Sequence, residues 1–270
     1  MHAPVPHLEQ YLASFDAYGG TARDYLRDHY ARFVQTRERL LRGWDPARGA
    51  RLLDVGAHWL HQAVLLASDG FAVTALDLPA TLEQDSVRAL AAAHRIRLLP
   101  NADLEQPAAL AAIGDDAFDL VLMTEVLEHL AFNPVALWRE IHRVLRPGGR
   151  IVVTTPNYYA LRSRLRQAWR TLRLLGGGIA VEQIVGLRTH GHHWKEYSRR
   201  ELVRYFALLS ADFRCRGVAY LEKRGAQPPR RRGMPVVHAL ERLLPPLRPD
   251  LYLEVDLVEK AHGIAVQPHW

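Results

Sequence analysis

Two glutamates and a histidine with helical spacing form the first group in this 270-residue sequence that could do chemistry. Glu125, Glu128 and His129 stand at positions i, i+3 and i+4, which share one face of a helix. Imidazole titrates near neutral pH, so His129 could remove a proton from a hydroxyl group. Two carboxylates and one imidazole could also hold a divalent ion, and they could equally have a purely structural role.

Acidic residues that follow short apolar runs form a second candidate site. Asp54 and Gly56 end one run, Asp77 ends the next, and Asp103 follows the third. A glycine after a strand lets the backbone approach a ligand, and an acid about 20 residues later is placed to bind the ribose hydroxyls of a nucleoside. Asp77 could instead cap the next helix. Asp103 could accept a hydrogen bond from an adenine amino group or simply hold a turn.

The elements that must position these residues alternate between short apolar strands and helices. Strands are predicted at residues 51–55, 72–76, 96–99, 118–124, 150–155, 216–222, 251–258 and 263–267. Helices are predicted at residues 21–43, 59–68, 81–94, 134–145 and 199–209. This alternation predicts a doubly wound α/β fold with a mostly parallel sheet, whose ligands lie beyond the carboxyl ends of the strands.

Two basic segments carry the net charge of +6. Residues 158–175 contain five arginines and no acid, and residues 224–250 contain six arginines against two acids. Such local segments do not indicate a uniform surface for nucleic acid. We expect residues 1–44 to form an N-terminal helical cap on a main domain of residues 45–270. Within that domain, residues 158–198 are predicted as a helical lid insertion after the fifth strand, and 224–250 as a surface loop.

The first basic segment is predicted to form an amphipathic helix. It places Leu161, Leu165 and Leu172 on one face and the arginines on the other, with Trp169 among the apolar residues. One interpretation is a lid packed on the body of the protein, with the arginine face in solvent, and we favour it. The alternative is an interfacial helix that touches anionic lipid and suits an amphiphilic acceptor.

Taken together, these motifs resemble class I S-adenosylmethionine-dependent methyltransferases, and most nearly the ubiquinone-biosynthesis O-methyltransferase type. The resemblance covers about residues 45–157 and resumes at 191–202. It implies a seven-stranded, Rossmann-like sheet and S-adenosylmethionine as the cofactor. It rests on the order and spacing of four blocks: the Asp54/Gly56 turn, Asp77, residues 118–130 and residues 145–157.

The resemblance also implies roles for single residues. The cofactor-binding residues would be Asp54, Gly56, Ala57, His58, Asp77, Leu78, Asp103, Leu104, Thr124 and Glu125. The catalytic residues would be His129, Glu128 and His193, and the substrate residues His193, Tyr197 and Tyr158. The Glu-x-x-Glu-His arrangement is thought to hold a divalent metal in ubiquinone-type enzymes. We assign no metal here, since this arrangement also occurs in methyltransferases with unrelated substrates.

One departure from the family pattern lies in the cofactor loop, which usually reads acid-x-Gly-x-Gly-x-Gly. Here His58 and Leu60 replace the second and third glycines. A Cβ at position 58 restricts φ and narrows the approach of the backbone to a ligand. His58 would then contact the cofactor carboxylate, or cofactor affinity would be reduced. A catalytically silent protein that binds S-adenosyl ligands is therefore the alternative to an enzyme.

The expected activity is methyl transfer to an oxygen of a small hydroxylated acceptor, such as a quinone precursor, a glycan or a secondary metabolite. Nucleic acid is not an expected partner, because strand four ends in Thr124-Glu125 rather than in the Asn/Asp-Pro-Pro-aromatic motif of amino-group nucleic-acid methylases. A nicotinamide cofactor is not expected either, since no Gly-x-Gly-x-x-Gly follows the first strand.

Three further features complete the expectations. His190, His192 and His193 lack the companion ligands of a metal site and are predicted to form a loop over the acceptor pocket. Cys215 is the only cysteine and is predicted to be a packed thiol. The sequence shows no signal-peptide pattern, so we expect a cytoplasmic protein, a monomer or homodimer, with peripheral membrane contact through residues 158–175 as an open alternative.

Overall fold

A seven-stranded β-sheet forms the centre of the computed structural model, which describes residues 4–101, 103–175, 178–222 and 234–267. The strands are β1 (Arg51–Val55), β2 (Ala72–Asp77), β3 (Arg97–Pro100), β4 (Phe118–Thr124), β5 (Leu145–Pro156), β6 (Phe213–Leu221) and β7 (Asp250–Leu257). Their order across the sheet is β3-β2-β1-β4-β5-β7-β6. Strands β1 to β5 are parallel, and β7 runs antiparallel between β5 and β6. The predicted fold class is confirmed.

Helices cover both faces of this sheet. They are α1 (Leu8–Ala13), α2 (Gly20–Gly43), α3 (His61–Ser68), α4 (Pro79–Leu82), α5 (Asp85–Ala93), α6 (Ala108–Ala111), α7 (Val135–Val144), α8 (Leu161–Leu172), α9 (Val181–Gly186), α10 (Arg199–Leu209) and α11 (Met234–Leu243). Among the described helices, none combines the length and the apolar composition needed to cross a bilayer.

Alternate residues of the central strands pack in two different apolar cores, one on each face of the sheet. Leu52 of β1 belongs to one core, together with residues of α2 and α3. The next residue, Leu53, belongs to the other core, together with Trp138 of α7 and Phe206 of α10. Successive side chains of a strand point to opposite faces, so both faces of the sheet are buried under helices, as a parallel sheet requires.

The N-terminal helices pack against the element that follows β1. The Tyr11 hydroxyl of α1 donates a hydrogen bond of 2.6 Å to the carbonyl of His61 in α3. The Phe15 ring lies 4.6 Å from the His61 ring. Arg37 of α2 forms a buried ion pair with Asp69, just after α3. These contacts hold α2 beside the turn that joins β1 to α3.

Two predicted elements are wrong in detail. The helix expected at residues 81–94 is divided into α4 and α5, which are separated by Glu83 and Gln84. Residues 263–267 are not a strand; the backbone N–H of Ala265 donates to the carbonyl of Leu209 in α10 rather than to a neighbouring strand. The carboxylate of Asp212 accepts hydrogen bonds from the backbone N–H groups of His262 and Gly263.

The expected surface loop at 224–250 also needs correction. Residues 223–233 lie outside the described part of the chain. Residues 234–243 form helix α11 rather than a loop. The helix is held by Glu241, which is buried and pairs with Arg162 of α8 at 3.0 Å.

Helix α8 does not pack in the way we favoured from the sequence. Its apolar side chains face outward, since Leu165 is 53% exposed and Leu172 is 84% exposed. Two of its arginines turn toward the body of the protein instead. Arg162 pairs with Glu241, and Arg164 reaches Glu196 and covers the Tyr158 ring at 4.0 Å. These polar contacts determine which face of the helix meets the protein.

Candidate active site

A cavity of about 580 Å³ opens at the carboxyl ends of β1 to β4, where the fold predicts a ligand. Most of the predicted cofactor residues line it: Gly56, His58, Asp77, Leu78, Asp103, Leu104, Thr124 and Glu125. Asp54 and Ala57 line a much smaller pocket beside it, which also contains Arg32 and His58. His129 lies in the wall of the main cavity, together with Thr189 and Gly191.

The turn after β1 keeps a backbone shape that normally calls for glycine. Gly56 has φ 76°, and a Cβ at this position would lie 2.3 Å from Val126 Cγ2. His58 and Leu60 also have positive φ, at 48° and 65°. Left-handed backbone costs a non-glycine residue about 1 kcal/mol. The loop therefore follows the path of a glycine-rich loop, although two of its residues carry side chains.

Asp77 holds this turn from the neighbouring strand. Its Oδ2 accepts a hydrogen bond from the backbone N–H of His58 at 2.7 Å, and its Oδ1 accepts one from Leu78 at 2.6 Å. It does not cap α4, whose N-cap residue is Leu78 and which has no side-chain cap. The Asp77 carboxylate lies in the cavity wall, where ribose hydroxyls could also reach it.

Asp54 lies under the same turn. It is buried, and neither of its carboxylate oxygens has a hydrogen-bond partner among the described residues. Burial, together with the nearby charge of Asp77, raises the pKa of Asp54 to about 8. This shift favours the protonated form of Asp54, which can donate one hydrogen bond toward the small pocket.

The loop after β3 is organised by an asparagine that the sequence analysis did not single out. Asn101 Nδ2 donates to the backbone carbonyl of Asp103 at 2.6 Å, and Asn101 Oδ1 accepts from the Ala109 N–H at 3.1 Å. Asp103 itself accepts a hydrogen bond from the Glu105 N–H. These bonds present Asp103 and Leu104 to the cavity. An asparagine two residues after the predicted strand at 96–99 was the available signal.

Glu125 does not share a helical face with Glu128 and His129, which corrects the first prediction. Residues Leu127–His129 form a single 3-10 turn, and Glu125 itself has φ 54°. Its carboxylate accepts a hydrogen bond from Thr154 at 2.9 Å and pairs with Arg32 at 3.0 Å.

Arg32 is the main functional candidate that the sequence analysis missed. It reaches the cofactor end of the cavity from α2 and is buried. Burial alone would lower the pKa of Arg32, but the charges of Glu125, Tyr25 and Asp250, together with the hydrogen bond to Tyr25, raise it above its usual value. The Arg32 Nε atom has no hydrogen-bond partner among the described residues. Arg32 Nε and the two Asp54 oxygens are thus buried polar atoms without a hydrogen-bond partner among the described residues, and they lie beside the turn. A pocket lined by such atoms fits a polar ligand group.

Glu128 is buried next to His129 and does not itself line the cavity. Its Oε2 accepts a hydrogen bond from the Thr155 hydroxyl at 3.0 Å. Burial, reinforced by the Glu125 charge, raises the pKa of Glu128 well above its usual value. Its backbone carbonyl accepts a hydrogen bond from the Trp194 N–H at 2.7 Å and thereby anchors the loop that carries His193.

His129 has a geometry that suits a general base. Its Nδ1 lies 3.0 Å from the carbonyl oxygen of His192, and because a carbonyl can only accept, Nδ1 carries the proton. The lone pair is then on Nε2, which lies 3.9 Å from Glu128 Oε1. The rings of His129 and His193 are 4.7 Å apart and nearly perpendicular.

Ligand atoms of Glu128, His129 and His193 lie within 4.8 Å of one another. They could hold a divalent ion only if Glu128 were ionised, and burial opposes its ionisation. His192 belongs to the loop whose Thr189 and Gly191 line the cavity, whereas the side chain of His190 lies outside the described part.

The two predicted substrate tyrosines lie near the site but outside the cavity wall. Tyr197 pairs with Asn157 at the end of β5, and its carbonyl accepts a hydrogen bond from the Tyr158 N–H. Burial raises the pKa of Tyr197 to about 12, with smaller contributions from Glu128 and Glu201. The Tyr158 ring lies at the surface under Arg164.

Known proteins share this sequence pattern and fold. A family model described as a methyltransferase domain matches residues 22–213. The ubiquinone biosynthesis O-methyltransferase of Caulobacter sp. (strain K31) is 33% identical over 167 residues, which is 61% of this chain and 60% of that protein. The protein of the same name from Xylella fastidiosa (strain 9a5c) is 31% identical over 161 residues, 57% of each chain. The chain thus matches about 60% of these relatives' length.

Solved structures agree on the fold. The 1,6-didemethyltoxoflavin-N1-methyltransferase of Burkholderia thailandensis, solved with S-adenosylhomocysteine, has a TM-score of 0.55 at 18% identity and covers 96% of this chain and 94% of its own. A geranyl diphosphate methyltransferase solved with S-adenosylmethionine has a TM-score of 0.54 at 19% identity, covering 91% and 94%. The chain therefore belongs to the methyltransferase-domain family, the S-adenosylmethionine-dependent family that its motifs resemble.

Proposed function

We propose that this protein transfers a methyl group from S-adenosylmethionine to an oxygen of a small hydroxylated acceptor, with His129 as the general base. The observation that carries the proposal is the hydrogen bond from His129 Nδ1 to the His192 carbonyl, which leaves Nε2 as a proton acceptor in the cavity wall. Relatives named as ubiquinone biosynthesis O-methyltransferases support oxygen as the target atom. The acceptor class comprises quinone precursors, glycans and hydroxylated secondary metabolites.

The cofactor would lie along the carboxyl ends of the strands. Asp77 would bind the ribose hydroxyls, and Asp103 would accept from the adenine amino group, with Leu78 and Leu104 against the adenine ring. The backbone at Gly56, Ala57 and Thr124 would face the methionyl part.

The buried pair of Arg32 and Glu125 matches the two charges of that methionyl part. Arg32 would bind the carboxylate through Nε, and Glu125 would accept from the ammonium group. Both side chains are already held in place, Arg32 by the Tyr25 hydroxyl at 3.2 Å and Glu125 by Thr154. A preorganised pair of this kind loses little entropy when the ligand binds.

Methyl transfer depends more on aligning the donor with the acceptor than on activating either of them. S-adenosylmethionine supplies a methyl group on a sulfonium, for which a neutral thioether is the leaving group. The acceptor oxygen forms the new bond to the methyl carbon as the carbon–sulfur bond breaks on the opposite side. His129 Nε2 takes the hydroxyl proton. Glu128, whose pKa is raised by burial, and His193, whose ring packs against His129, would hold the base in position.

Two single variants test the proposal. Asp77→Asn should weaken S-adenosylhomocysteine binding at least tenfold in calorimetric titration, because it removes the charged ribose acceptor. His129→Asn should keep that affinity and lose at least a hundredfold in kcat, the lower end of what general-base catalysis contributes. Methylation of phenols and glycans would be followed by mass spectrometry.

The same experiment separates the enzyme from the silent binder. Ligand binding without turnover of any acceptor would favour the silent protein, which the side chains at His58 and Leu60 motivate. A folded protein that binds neither S-adenosylmethionine nor S-adenosylhomocysteine would overturn both.

Peripheral contact between residues 158–175 and an anionic membrane is a further part of the proposal. The exposed Trp169, 49% accessible among arginines, supports it.

A further inference from the structure

A second group of side chains that could bind a metal lies at the opposite edge of the sheet from the cavity. Ligand atoms of Asp212, Glu259 and His262 lie within 4.8 Å of one another. Asp212 precedes β6, and the other two residues follow β7. The end of β7 pairs with Arg150 of β5, which itself pairs with the start of β4. The cavity opens at the carboxyl ends of the parallel strands, so this group is separate from the candidate active site.

The Asp212 carboxylate is held in its charged form by hydrogen-bond donors. Its side chain is fully buried, and its Oδ2 accepts from His142 Nε2 at 2.9 Å and from the Gly263 N–H at 2.8 Å. The His262 N–H donates to both carboxylate oxygens at 3.1 Å. Such donors favour the ionised form of an acid and fix its orientation. Asp212 is therefore a preorganised anionic ligand, whereas burial opposes the ionisation of Glu128 in the other group.

The second carboxylate, Glu259, is exposed and adds to the negative charge. Within the described part of the chain, no lysine or arginine forms an ion pair with Asp212 or Glu259. The neighbouring Lys260 pairs with Asp116 instead. Two carboxylates that converge in this way repel each other, and a divalent cation bound between them would neutralise both charges.

The distance between Asp212 and His262 suits two ligands of one metal ion. His262 Nδ1 lies 2.9 Å from Asp212 Oδ1, which is the distance of a hydrogen bond. Two ligands of one zinc ion lie about 3.0–3.5 Å apart, since each is about 2.0–2.2 Å from the metal. Zinc can therefore replace the proton between these atoms after a shift of about half an ångström in the His262 ring. The proton moves through water to Nε2, so the ring stays neutral, as metal ligation requires.

We propose that Asp212, Glu259 and His262 bind a divalent transition-metal ion, with zinc as the best match, and that this ion links the segment after β7 to the turn between α10 and β6. An imidazole combined with carboxylates suits zinc better than magnesium or calcium, which prefer oxygen ligands. Three protein ligands leave the fourth position of a tetrahedral zinc ion for water. His142, on the other oxygen of Asp212, would orient that carboxylate.

The ion would reinforce backbone contacts that already join the same two segments. The Val258 N–H donates to the carbonyl of Asp212 at 2.9 Å, and the Ala265 N–H donates to the carbonyl of Leu209 at 3.1 Å. A metal with ligands on both sides should therefore slow the separation of residues 258–265 from the turn. Zinc binding at this place does not depend on the activity proposed above.

Calorimetric titration with zinc chloride tests the site. The full chain would be used without a histidine tag and after treatment with a chelator. We expect one zinc ion to bind per chain, and about a hundredfold excess of magnesium should not displace it. His262→Gln and Glu259→Gln should each weaken zinc binding at least about tenfold, because each removes one ligand. Both side chains are exposed, and circular dichroism would confirm that the variants fold.

A matched control comes from the other group of potential ligands, in which His193 is exposed. His193→Gln should bind zinc like the unaltered protein. If His193→Gln loses the zinc ion and His262→Gln keeps it, the metal belongs to the other group and the proposal is overturned. The proposal also fails if the unaltered protein binds zinc no more tightly than magnesium.

Hydrogen exchange tests the link between the two segments. Zinc should slow exchange at residues 258–265 and 210–212 in the unaltered protein and in His193→Gln, but not in His262→Gln. Zinc binding without this protection would contradict the link. Calorimetric titration of His262→Gln with S-adenosylhomocysteine should give the affinity of the unaltered protein. Loss of zinc and failure of the proposed function are thereby measured separately.

Discussion

At the residue scale, the ion pair between Arg32 and Glu125 places two opposite charges beside the turn after β1. Glu125 could be identified from the sequence because it follows a predicted strand within a family block. Arg32 could not, since it is one of several arginines on a long helix and sequence does not show which of them points toward the sheet. The structure assigns it by burial and by its 3.0 Å contact with Glu125.

Removing one partner of this ion pair should lower the free energy of unfolding more than removing both partners. Arg32→Met leaves the Glu125 charge buried without its cation and should lower the free energy of unfolding by about 3 kcal/mol. Arg32→Met combined with Glu125→Gln should recover most of that loss but not the affinity for S-adenosylhomocysteine. Urea denaturation and calorimetric titration of both variants would measure this. Equal stability of the single variant and the unaltered protein would contradict the prediction.

At the element scale, strands and long helices could be predicted and short turns could not. The apolar strands follow directly from hydrophobic runs. The 3-10 turn at Leu127–His129 has the same residue spacing as a helix, so the sequence could not show that Glu125 points away from His129. Helix α8 was predicted to exist, but its orientation depends on Arg162 and Glu241, which are far apart in the chain.

The left-handed turn after β1 offers a comparison between two small side chains. His58→Gly and His58→Ala both remove the imidazole, but only alanine keeps a Cβ at φ 48°. The glycine variant should therefore be at least as stable as the alanine variant, by up to about 1 kcal/mol, although glycine alone normally destabilises. Thermal and urea unfolding would be measured side by side. A glycine variant that is clearly less stable would show that the loop is not strained.

The turn between α10 and β6 should give the fold a pH-dependent contribution. Asp212 is buried; burial alone would raise its pKa, but hydrogen bonds from His262 and His142 hold the pKa well below its usual value. An acid with a lowered pKa stabilises the folded state above its unfolded pKa of about 4 and loses that contribution as pH falls.

Asp212→Asn should accordingly lower the free energy of unfolding by about 2 kcal/mol at pH 7. The difference from the unaltered protein should shrink below pH 4. Urea titrations at several pH values would show this. A difference that is independent of pH would mean that Asp212 acts by packing rather than by charge.

At the scale of the whole molecule, the position of the cavity could be predicted and its outer boundary could not. Parallel strands bring their carboxyl ends to one edge of the sheet. This rule predicts from the sequence alone that Asp77, Asp103 and Thr124 lie close together. The outer helices obey no such rule, because their placement depends on side-chain pairs between distant segments. Helix α11, which was expected to be a loop, is the clearest example.

Ligand binding should protect parts of the chain that are distant in sequence. S-adenosylhomocysteine at 100 times its Kd should stabilise the folded state by about 2.7 kcal/mol. In hydrogen-exchange experiments, slower exchange should appear in α2 around Arg32 and in the turn at residues 56–60. Helices α8 and α11 should be unaffected. Protection of the turn without α2 would contradict the role given to Arg32.

The path of hydrogen bonds from Gln183 through His192 to His129 has a consequence for how this protein can evolve. The His192 side chain is held by the Gln183 carbonyl, and the His192 carbonyl fixes which nitrogen of His129 carries the proton. A new acceptor preference gained by lengthening or exchanging α9 would therefore tend to release the imidazole at the same time. A change in α9 that alters the acceptor preference would therefore also affect turnover. Variants that keep activity must change α9 while they conserve the geometry at His192.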